Sequence, residues 1–225
     1  MSIPLGTLQQ DPVSGLQYRI RQSAAAHPAR CLVLLHGVGS NEANMLALAE
    51  GVSDDTLVVT VRGPLTLGPG QYAWFRVAFT ATGPSIVPQE AEHSRLALIA
   101  LVQQLQAMHG IAADKTVVAG FSQGGIMSAS VALSAPLAVA GFGLLCGRIL
   151  PELQPHIASK AQLVALQAFV AHGELDTKLP VDWAHKSHAL LDELGVPHTL
   201  QLYPVDHTIS APMHADFLHW LASLT

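Results

Sequence analysis

The sequence predicts an α/β protein, a mostly parallel sheet with helices on both faces. Three observations carry that expectation. Apolar runs of strand length recur along the chain without the polar alternation of a sheet wetted on one side. Stretches with helical apolar spacing separate them, as connections between parallel strands require. Half of the 225 residues are hydrophobic and only 12% are charged, which is enough for one large core.

The elements follow in chain order. Leu16 to Arg21 is a polar strand suited to a sheet edge. Cys31 to Leu35 is a continuous apolar run, as a strand buried on both faces would be, and Thr56 to Val61 and Thr116 to Ala119 repeat the pattern. Ala138 to Cys146, Val164 to Ala171 and His198 to Tyr203 continue the series. Pro88 opens the longest helix, through about Met108, with Leu98, Leu101, Val102, Leu105 and Met108 on one face. Pro180 suits a first helical turn. Leu190, Leu191 and Leu194 give that helix its apolar side before Gly195 ends it, and a last helix spans about Ala211 to Ser223. One segment resists the scheme. GPLTLGPGQYAWFRVAFTATGP, Gly63 to Pro84, is rich in Gly and Pro yet carries Tyr72, Trp74, Phe75 and Phe79. It reads as a long ordered loop, either a simple lid on the core or a functional element. With no repeat, low-complexity stretch or linker, residues 1–225 are expected to form a single domain.

Composition removes several classes of function. The net charge is −5, and the 11 Lys and Arg residues are scattered. They form neither the basic stripe of a nucleic-acid binder nor a basic cluster for anionic lipid. The most apolar region, Ile126 to Cys146, is interrupted by Pro136, three serines and two glycines. It therefore reads as a helix followed by a strand, not an integral membrane span. MSIPLGTLQQDPVSG has no basic start and no apolar stretch of signal-peptide length. Cys31 and Cys146 lie in apolar runs and read as buried thiols, a disulfide being the alternative, so the expected location is cytoplasmic.

The chemistry centres on VVAGFSQGGIMSAS, Val117 to Ser130. Gly120-Phe121-Ser122-Gln123-Gly124 sits where a buried strand gives way to a helix. A sharp turn there lifts a hydroxyl out of the end of the sheet, and flanking glycines leave room for the tight backbone. The bland reading is a glycine turn that packs a helix on the sheet. A serine nucleophile needs a base and an acid to orient that base, in the chain order serine, acid, histidine. Glu174 and Asp176 both follow the strand ending at Ala171. Asp176 is preferred because it immediately precedes the Thr177-Lys178-Leu179-Pro180 lead into the next helix. Of the later histidines, His185, His188, His214 and His219 fall in helical patterns and His198 begins a strand. His207 alone occupies a strand-to-helix loop, where ligands of open α/β sheets bind. The oxyanion needs two donors. The Gln123 amide follows the nucleophile, and the Val38 amide lies in the loop His36-Gly37-Val38-Gly39-Ser40 after the first buried strand.

LLHGVGSN, RGPLTLGPGQYAWF, GFSQGG, HGELD and DHTIS together resemble the carboxylesterase/phospholipase family that includes the acyl-protein thioesterases. The resemblance runs from about Leu32 to the C-terminus. It implies the α/β-hydrolase fold without a large cap domain, with Ser122 as nucleophile, Asp176 as acid and His207 as base. It further implies Val38 and Gln123 as oxyanion donors, with Trp74 and Phe75 lining or bordering the acyl pocket. Two departures stand out. Asp206 replaces the glycine often found before the histidine, and RGPLTLGPGQYAWF is closer to bacterial esterase members than to thioesterases acting on lipidated proteins.

The expected activity is hydrolysis of small or short-acyl carboxylic esters through an acyl-enzyme, with no cofactor or metal. Acyl-protein thioesterase or lysophospholipase activity is the alternative, and a non-catalytic binding module is a further rival. A metal hydrolase is disfavoured because the paired helical histidines lack a ligand set such as HExxH. The expected partner is a small-molecule ester, with a homodimer as a further option.

Overall fold

The computed structural model describes residues 5–21, 27–80 and 83–224. Among these, β1 (Gln9–Gln10), β2 (Gln17–Arg21), β3 (Arg30–Leu35) and β4 (Thr56–Arg62) precede two hairpins. The hairpins are β5 (Leu65–Gly68) with β6 (Gln71–Ala73) and β7 (Val77–Thr80) with β8 (Gly83–Ile86). Next come α1 (Pro88–His109), β9 (Thr116–Phe121), α2 (Gln123–Ser134), β10 (Gly141–Leu145) and the short α3 (Lys160–Leu163). The chain closes with β11 (Gln167–Gly173), α4 (Asp182–Leu194), β12 (His198–Tyr203) and α5 (Ala211–Ser223).

Eight strands form one sheet in the order β1-β2-β4-β3-β9-β10-β11-β12. β1–β2 and β2–β4 pair antiparallel and all other neighbours are parallel. Strand periodicity divides the core between the two faces. Val33, Leu35, Val59, Val118, Phe142 and Val170 pack with α1, α2 and α4. Leu32, Leu34, Val58, Ala119 and Phe169 meet α5 and the 3-10 segment Glu42–Ala49 on the other face. Both faces are covered, as the continuous apolar runs predict. No helix among the described residues is long and apolar enough to cross a membrane.

Several boundaries differ from the sequence reading, each for a local reason. β2 is not the outermost strand, because the two-residue β1 pairs beyond it. β10 begins at Gly141 because Pro136–Ala138 forms a 3-10 turn. β11 starts at Gln167 rather than Val164, since a Ser159/Gln162 capping box opens α3. It then continues to Gly173, which carries His172 into the sheet. α4 begins at Asp182, with the Pro180 carbonyl accepting from Trp183 N in the turn before it. The segment from Gly63, expected as a long ordered loop, is ordered as the two hairpins. Gly70, at φ +69, turns the first, while the Phe79 side chain and residues 81–82 lie outside the described ones.

A buried charge cluster ties this frame to the loop after β3. The Glu42 carboxylate accepts from Arg19 Nε at 2.9 Å and from Arg62 Nε at 2.7 Å and Nη2 at 2.8 Å. Burial alone would raise the Glu42 pKa, but these guanidinium hydrogen bonds outweigh it and hold the group at about 2. A depressed carboxylate stabilises the fold above its unfolded pKa and loses that contribution as pH falls towards the folded value. Glu42→Gln is therefore expected to destabilise by about 2–3 kcal/mol at pH 7. Urea titrations should show the gap to wild type narrowing from about pH 4.5 down to 2; a constant gap would refute the assignment.

Candidate active site

Ser122 stands between β9 and α2 with φ 53 and ψ −118, a left-handed backbone that a side chain rarely adopts. Its neighbours make the turn sterically feasible. A Cβ on Gly120 would lie 2.6 Å from the Leu35 carbonyl oxygen, and one on Gly124 would lie 2.0 Å from the same atom. Glycine at both places lets α2 start directly against the end of β3.

Loops from distant strands meet at this point. β11 and β12 run parallel, and past their ends Glu174 N donates to Tyr203 O and Leu175 N to Val205 O. This zipper carries His207 towards Asp176. Asp176 Oδ2 is 2.6 Å from His207 Nδ1, and His207 Nε2 is 2.9 Å from Ser122 Oγ. The carboxylate is an acceptor, so Nδ1 carries the proton and Nε2 can accept from the serine hydroxyl. Asp176 is buried, and its Oδ1 accepts from the amides of Lys178 at 2.9 Å and Leu179 at 2.8 Å. Glu174 is exposed and takes no part. Asp206 faces away from the serine, accepting from Thr177 N and Oγ1. The Thr177 amide first, then the His207 amide and the Thr177 hydroxyl, lower its pKa.

His172, a residue given no role in the sequence reading, lies under this group. Its Nε2 sits 2.7 Å from Leu179 O and 3.3 Å from Asp176 Oδ2. Burial pushes its pKa down, so it remains neutral and braces the carboxylate. The buried Cys146 thiol, 3.6 Å from Thr208 O, is pushed up to about 12 by burial and stays protonated. Cys31 is likewise buried and free.

The Val38 and Gln123 amides donate to no described residue, and Val38, Ser122, Gln123 and His207 share one cleft. Gln123 N also opens α2, where the positive end of the helix dipole favours an anion. The loop holding Val38 is fixed from below. His36 Nδ1 donates to Gly37 O, leaving its Nε2 to accept from Gly63 N at 2.9 Å. Burial lowers the His36 pKa and keeps the ring neutral. Trp74 Nε1 donates to His36 O at 2.8 Å, and the Gln123 side chain bridges Trp74 N and Phe75 O.

The cleft has a volume of about 390 Å³, within the range of small-molecule sites, and Phe75, Phe121, Ile126 and Leu179 supply apolar wall. Phe75 forms part of that wall, whereas Trp74 is wholly buried and outside it, its indole N–H committed to the His36 carbonyl. Among the described residues no cap covers the opening, whose edge includes Val77 and Ile86 of the second hairpin.

Among the described residues, two groups of donor atoms lie close enough to share a cation. Cys146, Asp176 and His207 form one, but His207 is committed to Ser122 and Asp176 and the thiol is protonated. The other joins His188 and Asp192 of α4 to His198 of β12.

A family model described as phospholipase/carboxylesterase matches residues 17–225. Acyl-protein thioesterase 1 of Eremothecium gossypii is 26% identical over 216 residues, spanning 90% of this chain and 91% of that protein. Among solved structures, a carboxylesterase from Mesorhizobium loti superposes with a TM-score of 0.80 at 23% identity, covering 99% of each chain. The Bacillus cereus carboxylesterase gives 0.80 at 20% identity over 93% of this chain and 95% of that one. These structural likenesses carry the fold, that of α/β-hydrolases.

Proposed function

The chain belongs to the phospholipase/carboxylesterase family, and from that premise we propose a serine carboxylesterase acting on small or short-acyl esters through an acyl-enzyme. The observation that carries the reading is the continuous relay from Asp176 through His207 to Ser122, with bonds of 2.6 and 2.9 Å. His207 Nε2 takes the hydroxyl proton as Ser122 Oγ bonds to the ester carbonyl carbon. The carbonyl oxygen becomes an oxyanion held by the Val38 and Gln123 amides, and Asp176 stabilises the imidazolium. The imidazolium then protonates the departing alkoxide as its bond to carbon breaks. Water attacks the acyl-serine with His207 again accepting a proton, and collapse releases the acid and restores the serine. This chain's own residues supply every group these steps use.

The uncapped cleft of about 390 Å³ supports short acyl chains over long ones. kcat/KM on 4-nitrophenyl esters should peak between acetyl and butyryl; a maximum at palmitoyl would instead support the lysophospholipase or acyl-protein thioesterase alternative. Stoichiometric labelling of Ser122 by a fluorophosphonate is expected, and its absence would favour the non-catalytic reading. Asp176→Asn should lower kcat by about 10³- to 10⁴-fold, because the amide disfavours the required histidine tautomer. Asp206→Asn should cost less than about 10-fold, since its carboxylate bonds Thr177 and the His207 backbone amide while the His207 ring is held by Asp176; equal losses in the two variants would reverse the acid assignment. Two free, buried thiols support a cytoplasmic setting.

A further inference from the structure

Hydrolysis of a neutral ester leaves Arg148 of the cleft unused. It follows β10 in the turn Gly147-Arg148, and a Cβ on Gly147 would lie 3.0 Å from the Ser122 carbonyl oxygen. The turn is therefore packed against the backbone of the elbow. Arg148 lines the same cleft as Ser122 and His207 and is only 5% exposed. A cation so deeply placed ordinarily meets a carboxylate or several carbonyls. Among the described residues the guanidinium donates no hydrogen bond and forms no ion pair, and Glu152 acts on it only through space. Its carbon stands 4.5 Å from the ring centroid of Trp183, with Lys186 Nζ also 4.5 Å from that centroid. Stacking offsets part of the desolvation cost and orients the planar group, but it leaves the N–H donors uncommitted.

Lys178 also lines the cleft, whereas among the described residues no Asp or Glu forms part of its wall, on a chain whose net charge is −5; Asp176 lies behind His207 and is committed to it. Low-dielectric walls concentrate such a local field. A guanidinium presents a fork that matches the two oxygens of a carboxylate or phosphate.

We propose that Arg148 forms an anion subsite in the active-site cleft, so that the preferred substrate is an ester bearing a carboxylate or phosphate group on its acyl or alcohol part. The proposal rests on Ser122 being the nucleophile of an esterase. Arg148 touches the non-reacting anionic group and fixes the ester carbonyl against the elbow; Lys178 adds long-range attraction.

Two matched substrate pairs test this with the whole protein. Monomethyl glutarate against methyl pentanoate places the charge on the acyl side. 1-Butyrylglycerol 3-phosphate against 1-butyrylglycerol places a phosphate on the alcohol side. Wild type should favour the charged member of at least one pair by about 10- to 100-fold in kcat/KM, and the pair that responds identifies the source of the anion. Raising NaCl to 0.5 M should shrink the ratio. In Arg148→Gln the ratio should fall to near 1, and Arg148→Lys should recover part of it, a pattern that simple loss of packing would not produce. Should Arg148→Gln fail to fold, wild type supplies the second measurement. Glutarate or glycerol 3-phosphate should inhibit methyl pentanoate hydrolysis competitively, at concentrations where 1,5-pentanediol and glycerol do not. Equal rates within both pairs, a ratio that survives Arg148→Gln, or no inhibition by either anion would overturn the subsite while leaving the esterase reading standing. Failure to hydrolyse any of the four esters, or the 4-nitrophenyl series, would overturn the esterase reading and the subsite with it.

Discussion

Ser122→Ala is expected to lower turnover of a 4-nitrophenyl ester by about 10⁴- to 10⁶-fold, with the fold intact. Removing the hydroxyl leaves His207, Asp176 and the two amides without an atom to activate. The relay acts as a unit, so His207→Ala added to Ser122→Ala should cost little more. Wild-type rates in Ser122→Ala would end the nucleophile assignment. The same position makes a separable prediction about stability. Its φ of 53 costs a residue with a Cβ on the order of 1 kcal/mol that glycine avoids. Ser122→Gly should therefore be inactive yet about 1 kcal/mol more stable in urea. A less stable glycine variant would show that no strain is held at the elbow.

Gly124→Ala is expected to cost more than about 3 kcal/mol, or to prevent folding, and to reduce any remaining hydrolysis by at least 100-fold. The new methyl would lie 2.0 Å from Leu35 O and 2.7 Å from His36 O. Both are backbone atoms of a central strand and its loop, so no side chain can swing aside. Relief would require α2 to move away from β3. That displacement would carry Ser122 from His207 and separate the Gln123 and Val38 amides. Gly68→Ala is the control, because its methyl would meet only the Gln71 side chain at 3.5 Å. A change of less than about 1 kcal/mol is expected there. Equal effects at the two positions, read by thermal melts and initial rates, would sink the close-approach argument.

Much of the frame was legible because burial on both faces of a parallel sheet writes itself into the chain as continuous apolar runs. Cys31 to Leu35 and Thr116 to Ala119 are such runs, and both lie in central strands. Boundaries were less legible where an apolar residue serves a turn as well as a strand. Val164 to Leu166 look like strand yet belong to the turn after α3, because the Ser159/Gln162 cap starts a helix just before them. The segment after Gly63 became two hairpins through pairing that its glycines and prolines obscured.

The sequence by itself determined the α/β plan, the glycine-flanked serine at a strand–helix junction, and an acid and a histidine following it in order. These are legible because they depend on periodicity and backbone sterics, which act over a few residues. Only the tertiary structure decided how closely Asp176 approaches His207, that Trp74 supports the His36 loop instead of lining the cleft, and that His172 and Arg148 stand where they do. Each of those outcomes depends on which loops the sheet order brings together across long separations, and on which buried polar groups find partners once water is gone. Nothing local in the chain encodes either.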